Sequence, residues 1–284
     1  MIKIASMVGT PDLETPTLAP YSGDLDAAFK KLSALGFQGV ELMTRRPSLL
    51  DGLRLRALLE AYQLQLVGLC SGHIFGEDRL GLVLPELAIN QEAVDRLKEF
   101  IDFVAVYPGP GAMVNIGRSR GVGNPQDMPG TMETAAAAIR ELADYALPNG
   151  VRLILEPIRK TEVNFIHTTQ DGLRLAQLVD RPNFGLMVDT YHMYHEDVDM
   201  LQSFYEAANY IWHIHFSDSN RRYPGSGVID YEKVVRVLEA IGYSGYVSLE
   251  IQPWPDPDAS ARRSIEYLRR FILADAITPL SSNH

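Results

Sequence analysis

The sequence predicts a single (β/α)8 TIM barrel of the α/β class, and three observations support this fold. Short apolar segments rich in β-branched residues alternate with amphipathic stretches, and eight short segments can be counted. Strands that alternate with helices pair in parallel through right-handed crossovers. Eight such units in 284 residues suit a closed barrel, which typically uses about 250. The GxGxxG fingerprint of a doubly wound open sheet is absent after the first strand.

The predicted strands share apolar, β-branched composition. They are Ile2–Met7, Gln38–Leu42, Leu64–Cys70, Ala112–Ile116, Val151–Leu155, Phe184–Val188, Ile211–His215 and Tyr246–Glu250. The predicted helices repeat apolar residues at intervals of three and four. They include Asp24–Leu35, Gln91–Tyr107, Thr131–Leu147, Thr169–Val179, Tyr231–Ile241 and Ala259–Leu273.

Capping residues indicate where these helices begin and end. Asp24 and Asp230 stand at N-cap positions. Gly36, Gly150 and Gly242 follow predicted helix ends, where a left-handed residue is favoured. The stretches that contain proline and glycine are too short for interdomain linkers. We therefore expect one domain over residues 1–284.

The composition limits the classes of function and partner. Cys70 is the only cysteine, so the chain forms no intrachain disulfide, and we expect a cytoplasmic protein. We see no secretory signal, and no apolar run approaches the roughly 20 residues that span a bilayer. The net charge of −10 disfavours a nucleic-acid partner, because phosphate binding usually needs a basic surface. We expect a small-molecule substrate and neither a nucleic-acid nor a membrane partner.

Ionisable residues close four consecutive predicted strands: Glu156, Asp189, His215 and Glu250. Barrel chemistry gathers at the carboxyl ends of the strands. Any one of these residues alone is more commonly a cap, a loop charge or a packed side chain. Three carboxylates that face one another would repel unless a cation lay among them. The set is harder than the thiolate donors of structural zinc sites, so Mn²⁺, Mg²⁺ or Co²⁺ would suit it, with Zn²⁺ also compatible.

Four segments resemble a known family in detail. LEPIRKTEVNFIHT, VDTYHMYHED, HIHFSDSNRRYPGSGVIDY and GYVSLEIQP resemble the xylose isomerase-like TIM-barrel superfamily, nearest to ketose 3-epimerases of the D-tagatose/D-psicose type. The resemblance implies one divalent ion, most typically Mn²⁺, held by the four residues that close the strands. It also implies that Glu156 and Glu250 form the acid/base pair on opposite faces of the sugar. A homodimer or homotetramer is a further expectation from the family.

The resemblance also implies a set of substrate contacts. His192 and Arg221 would contact the substrate oxygens, and Glu162 would lie in the substrate site. His73, in the loop after the third strand, is a further candidate contact or an ordinary polar loop residue. His213, two residues before His215, either supports the metal ligand or packs in the core.

The loop after the fifth strand departs from the family. Relatives often read Glu-Pro-x-Asn-Arg-Tyr-Glu, whereas the trio here is Arg159, Lys160 and Thr161. This departure from the family leaves the identity of the sugar substrate open. Arg159 and Lys160, with Arg118 and Arg120, either form a phosphate site or are surface charges.

The implied reaction is C3 epimerisation of a ketose or ketose phosphate. A proton is removed beside a carbonyl and returned from the other face, and a divalent ion stabilises the enediolate. Isomerases of the aldose–ketose, hydroxypyruvate or inosose type, and dehydratases, are alternatives that use the same chemistry. A sugar-binding protein without activity would not need two opposed glutamates. An abasic-site DNA endonuclease is a distant alternative, since histidines that it needs are missing near Asn115 and at Tyr231.

Overall fold

The structure is a computed structural model that describes residues 1–15, 18–107 and 113–272. Its strands form a closed parallel barrel, because each strand pairs with the next and the eighth pairs with the first. The barrel strands are β1 (Lys3–Gly9), β2 (Gly39–Met43), β3 (Gln65–Cys70), β4 (Met113–Ile116), β5 (Arg152–Leu155), β6 (Phe184–Asp189), β7 (Ile211–Phe216) and β8 (Tyr246–Leu249). A two-residue strand, Tyr21–Ser22, pairs with the end of β1.

Helices follow the strands. They are α1 (Leu25–Leu35), α2 (Gly52–Ala61), α3 (Gly72–Gly76), α4 (Gln91–Ala105), α5 (Met128–Ala146), α6 (Thr169–Val179), α7 (Thr190–Glu196), α8 (Met200–Glu206), α9 (Tyr231–Ala240) and α10 (Pro257–Ile272). The predicted fold class is confirmed, and the predicted strands agree with the observed ones to within two residues at each end. Ala112, which begins a predicted strand, and Leu273, which ends a predicted helix, lie outside the described residues.

The predicted caps also occur in the structure. The Asp24 carboxylate accepts a hydrogen bond from the Ala27 N–H, and Asp230 accepts one from Lys233 N–H, both at 3.1 Å. Gly36 ends α1 with a φ of +86°, a left-handed conformation that favours glycine. These contacts fix where the helices begin and end around the barrel.

The barrel interior changes character along its axis. One end is filled by a small apolar cluster of Ala5, Val67, Met113, Ile154 and Met187. Side chains alternate along a strand, so Ile154 and Met187 face the same side as Glu156 and Asp189, two residues later. The interior is therefore apolar at one end and ionisable at the carboxyl end of the strands, which is where barrel active sites lie.

Among the described residues, every helix is too short or too polar to cross a membrane.

Candidate active site

The structure brings the four residues that close consecutive strands into one cluster. Glu156 follows β5, Asp189 ends β6, His215 lies in β7 and Glu250 follows β8. One potential ligand atom from each lies within 4.8 Å of the other three. All four side chains are buried. The predicted ligand set is thus a compact group of three carboxylates and one imidazole.

The orientation of His215 is set by contacts on both ring nitrogens. Nδ1 lies 3.3 Å from Glu250 Oε2 and 4.0 Å from Asp189 Oδ2. Nε2 lies 3.0 Å from Oε2 of Glu41, a buried residue of β2. The same Glu41 oxygen lies 2.7 Å from Nε2 of His213. His213 therefore contacts the residue that holds His215, which favours support of the ligand over plain packing.

Arg221 is the cation beside the carboxylates. Its guanidinium donates to Asp189 and Glu250, and to Ser217 Oγ at 2.8 Å. Arg221 has a φ of +61°, which is uncommon for a residue other than glycine. It lies in a loop that Asp218 organises by accepting from backbone N–H groups, including that of Gly225 at 2.8 Å. The polar residues after β7 thus shape a loop that delivers one guanidinium to the cluster.

The donor set fits a divalent cation. Three buried carboxyl groups face the single guanidinium of Arg221, so full ionisation of the cluster would leave negative charge uncompensated. Within the described residues Glu156 Oε1 has no hydrogen-bond partner. Burial, and then the charge of Glu250, raise the pKa of Glu156 well above its usual range. Burial also raises the pKa of Asp189 to about 6. A hard cation held by oxygen and imidazole donors would satisfy these groups.

The two glutamates of the cluster have pKa values shifted in opposite directions. Burial opposes the charge of Glu250, but Arg221 and His215 hold its pKa below the usual range. The pKa of Glu156 is shifted in the opposite direction. Carboxylates whose pKa values are pushed apart suit an acid and a base in one reaction.

His192, on α7, points its Nε2 atom into the same site. Its Nδ1 accepts a hydrogen bond from the Arg159 N–H at 3.4 Å. Burial, and then Arg221, lower the pKa of His192 well below its usual range, so the ring is neutral. A neutral ring with Nδ1 as acceptor carries its proton on Nε2. Nε2 lies 3.5 Å from Glu156 Oε1, so His192 can donate to a group bound beside Glu156.

A cavity of about 370 Å³ opens over the cluster. Its lining includes all four predicted substrate contacts and the two predicted acid/base residues: His73, Glu156, Glu162, His192, Arg221 and Glu250. Glu162 is exposed at its rim, whereas His192 and Arg221 are buried. A larger cavity of about 580 Å³ lies between α1 and α2 and contains none of these residues. The smaller cavity is therefore the candidate active site.

The basic residues near the site contact different groups and do not form one anion-binding site. Arg120 is fully buried and donates to the backbone carbonyls of Gly117, Glu156, Phe165 and Ile166. Arg159 bonds the Tyr191 hydroxyl, and Lys160 lies 3.9 Å from Glu196. Arg118 is exposed and lines the cavity. The prediction that Arg120 binds a phosphate or is a surface charge is wrong, because its guanidinium is buried and donates to backbone carbonyls.

Sequence reasoning missed Glu41 as a functional residue. The residue sits in the third position of β2, between Val40 and Leu42, and is 1% exposed. A glutamate inside a fully buried strand is costly unless it has partners, and this was the available signal. Its partners come from β7, so the contact could not be read from local sequence.

The family model of xylose isomerase-like TIM barrels matches residues 29–271. This protein belongs to that family. The match covers β2 to β8 and every residue of the cluster. It confirms the resemblance that the four sequence segments indicate.

The chain is also similar to several characterised epimerases. It is 29% identical over 182 residues to L-ribulose 3-epimerase of Methylomonas sp., covering 58% of each chain. It is 33% identical over 119 residues to ketose 3-epimerase of Arthrobacter globiformis, covering 42% of this chain and 41% of the relative. These matches span less than two thirds of either relative. Fructoselysine 3-epimerase of Shigella flexneri is 25% identical over 268 residues, with 88% of this chain and 94% of the relative covered.

Solved structures share the fold over nearly the whole chain. D-allulose 3-epimerase from Methylomonas sp. superposes with a TM-score of 0.78 at 24% identity, covering 96% of this chain and all of that one. A 3-keto-D-glucoside 4-epimerase from E. coli gives 0.76 at 21%, covering 95% and 100%. An AP endonuclease of family 2 from Brucella melitensis gives 0.75 at 20%, covering 94% and 99%. At these identities the similarity supports the fold only.

Proposed function

We propose that this protein is a divalent-metal-dependent epimerase that inverts C3 of a ketose or ketose phosphate. The observation that carries the proposal is the presence of Glu156 and Glu250 in one cavity, with opposite pKa shifts, beside Asp189 and His215. The 3-epimerases among its relatives support the same reaction. We further propose one domain over residues 1–284, Mn²⁺ as the metal and a homodimer or homotetramer as the assembly.

The two glutamates can move a proton across the sugar. Glu250, with the lowered pKa, is ionised and can take the proton from C3. Glu156, whose pKa is raised, is the more readily protonated of the two and can deliver a proton to the opposite face. β5 and β8 are three strands apart in the barrel, so their glutamates approach one ligand from different directions. In the reverse reaction the roles exchange.

Two further side chains suit the charge that develops on the substrate. The Nε2–H of His192 and the guanidinium of Arg221 line the cavity and can donate to the oxygen that gains charge. The residues that would hold a cation are Glu156, Asp189, His215 and Glu250. When bound, the cation supplies Lewis-acid stabilisation of negative charge next to the reacting carbon.

Deuterium incorporation tests the reaction directly. The Mn²⁺-loaded protein is incubated in D₂O with fructose, tagatose, ribulose, xylulose, their phosphates and an amine-substituted fructose, and each is followed by NMR. We expect deuterium at C3 together with the C3 epimer and no aldose. Glu156→Gln and Glu250→Gln should abolish formation of the C3 epimer. Glu239→Gln, an exposed substitution on α9, is the matched control and should retain it.

Other positions of deuterium identify the alternative reactions. Label at C1 or C2 with aldose formation would replace the proposal with an aldose–ketose isomerase. Loss of water from inosose would indicate a dehydratase. A 4-epimerase is the second candidate, because 3-dehydro-D-guloside 4-epimerase of E. coli is 24% identical over 249 residues, covering 85% of this chain and 92% of the relative. Deuterium incorporation at C4 of a 3-keto glycoside would favour the 4-epimerase.

The geometry disfavours a DNA endonuclease. The Asn115 amide points to Cys70 Sγ at 3.9 Å, inside the barrel wall. The Tyr231 hydroxyl lies 3.0 Å from Thr190 Oγ1 in a fully buried position. Neither residue supplies the histidine nitrogen that additional zinc ions would need. One metal ion per chain and no nicking of an abasic duplex are the results we expect.

A further inference from the structure

We propose that Glu41 and His213 are positioning residues that hold His215 in the orientation needed to bind the metal. The inference rests on the proposed function, because it assumes that the cluster binds a cation. It adds two residues outside the ligand set, one from β2 and one from β7 itself.

The contacts are specific and completely buried. One carboxylate oxygen, Glu41 Oε2, lies 2.7 Å from Nε2 of His213 and 3.0 Å from Nε2 of His215. Glu41 and His213 are each 1% exposed and His215 is 0% exposed. The two rings are almost perpendicular, at 89°, with centroids 5.3 Å apart. Both imidazoles therefore present the same atom to one shared acceptor.

This arrangement selects the nitrogen that faces the cluster. A carboxylate accepts, so the Nε2–H of His215 is the donor, and Nδ1 is left as the nitrogen that a metal ion would use. Nδ1 is the atom that faces Glu250 and Asp189. Histidines that bind metals usually donate their other N–H to a carboxylate or carbonyl, which fixes the ring and makes the ligand more basic. Glu41 occupies that place here.

His213 has a separate task in the arrangement. A carboxylate inside an apolar strand needs more than one donor to offset its desolvation. The Nε2–H of His213 supplies a second hydrogen bond to Glu41 and keeps its carboxylate beneath His215. If position 41 only filled the core, its residue would be apolar, as the neighbouring Val40 and Leu42 are.

Metal affinity and the spectrum of bound Co²⁺ test the proposal. Glu41→Gln keeps the shape and removes the charge, and Glu41→Ala removes the acceptor. We expect the affinity for Mn²⁺ measured by calorimetry to fall about 10- to 100-fold in Glu41→Ala and less in Glu41→Gln. The Co²⁺ absorption bands should shift, whereas saturating metal should restore part of kcat. His213→Asn should weaken binding by a smaller factor.

Ser248→Ala is the matched control. Ser248 is buried on β8 two residues before Glu250, and its hydroxyl has no partner among the described residues. This substitution changes the barrel interior without touching His215's hydrogen bonds, so affinity and spectrum should stay as in the wild type. If Glu41→Ala fails to fold, the isosteric Glu41→Gln carries the test.

Three results would overturn parts of the argument and can be told apart. Unchanged affinity and spectrum in Glu41→Gln and Glu41→Ala would reject the positioning role. Two ions per wild-type chain, with one lost in Glu41→Gln, would also reject it, because Glu41, His213 and His215 would then form a second metal site. A wild-type protein that binds no divalent cation would instead reject the proposed function itself.

Discussion

The Nε2 atom of His192 lies 3.5 Å from Oε1 of Glu156, and both side chains are buried beside the cavity. Glu156 Oε1 has no hydrogen-bond partner in the described part of the chain. The backbone N–H of Arg159 occupies the other nitrogen of His192. The ring therefore has one free donor, which lies beside Glu156 Oε1 at the cavity.

We expect His192→Phe to lower kcat/KM by roughly 10²- to 10³-fold, because a donor to the developing charge is lost. The affinity for Mn²⁺ should change little, since His192 is not one of the four cluster residues. Steady-state kinetics and calorimetry on the same preparation measure both quantities. A large loss of metal affinity with unchanged kcat at saturating metal would contradict this assignment.

Metal binding should strengthen as the pH rises. The pKa of Asp189 is raised to about 6, and those of Glu156 and His215 are raised well above their usual values. Each group therefore holds a proton to a higher pH than usual, and a cation must displace it. We expect the dissociation constant for Mn²⁺ to fall from about pH 5 to pH 8, with protons released on binding. Calorimetry in buffers of different ionisation enthalpy counts those protons, and a flat profile would show that the cluster is not the site.

Glu156→Gln should stabilise the metal-free protein while it abolishes activity. The folded state raises the pKa of Glu156, chiefly through burial. A carboxyl group of this kind costs nothing below its unfolded pKa, and its cost grows as the pH rises toward the folded pKa. The Tm of Glu156→Gln should thus equal that of the wild type near pH 4 and exceed it near neutrality. Each kcal/mol gained in the free energy of unfolding should raise Tm by roughly 2–4 °C. Thermal melts with a chelator present measure it, and equal Tm values at neutral pH would contradict the prediction.

The sequence predicted the fold well because hydrophobic periodicity and caps are local signals. Thr169–Val179 was predicted with its observed bounds, and the Asp24 and Asp230 caps follow from residue type. Strand ends also identified the cluster, since the barrel places the ends of consecutive strands at one level. Glu41 could not be assigned, because its two histidine partners are 172 and 174 residues away.

The role of Arg120 could not be predicted from local sequence either. Its position two residues from Arg118 suggests a pair of surface or phosphate-binding arginines. The structure buries Arg120 completely and leaves Arg118 exposed on the cavity wall. The difference depends on carbonyl groups that the loop after β5 brings to Arg120, and local sequence does not show which carbonyls will lack partners.

Gly117 should affect the position of the Glu156 carboxylate. A Cβ atom at Gly117 would lie 3.3 Å from Glu156 Oε2, closer than most such contacts. Gly117→Ala should displace that oxygen by a few tenths of an ångström and lower kcat roughly tenfold, because small errors in position are costly in catalysis. Gly76→Ala is the control, because Gly76 lines the same cavity and a Cβ atom there would have no neighbouring atom within 4 Å. Equal kcat values for the two variants would show that Glu156 tolerates the contact.

Arg120→Met should destabilise the fold and loosen the site together. The guanidinium donates to the carbonyls of Gly117 at 2.9 Å and Ile166 at 3.0 Å, and to that of Glu156 itself. Burial lowers the pKa of Arg120 only to about 10, so the group stays charged near neutrality. Removing it leaves buried carbonyls without donors, at a cost of roughly 2–5 kcal/mol in the free energy of unfolding.

The comparison with Arg118→Met separates burial from charge. In the described ranges the side chain of Arg118 forms no ion pair or hydrogen bond and lies over the Phe75 ring, 5.9 Å from its centroid. Its loss should change the free energy of unfolding by no more than about 0.5 kcal/mol. Denaturant titration of both variants measures the difference, and Mn²⁺ calorimetry should show weaker binding only in Arg120→Met, because only that variant frees the backbone of Glu156. Equal destabilisation by the two substitutions would mean that the four carbonyl contacts of Arg120 contribute nothing to the fold.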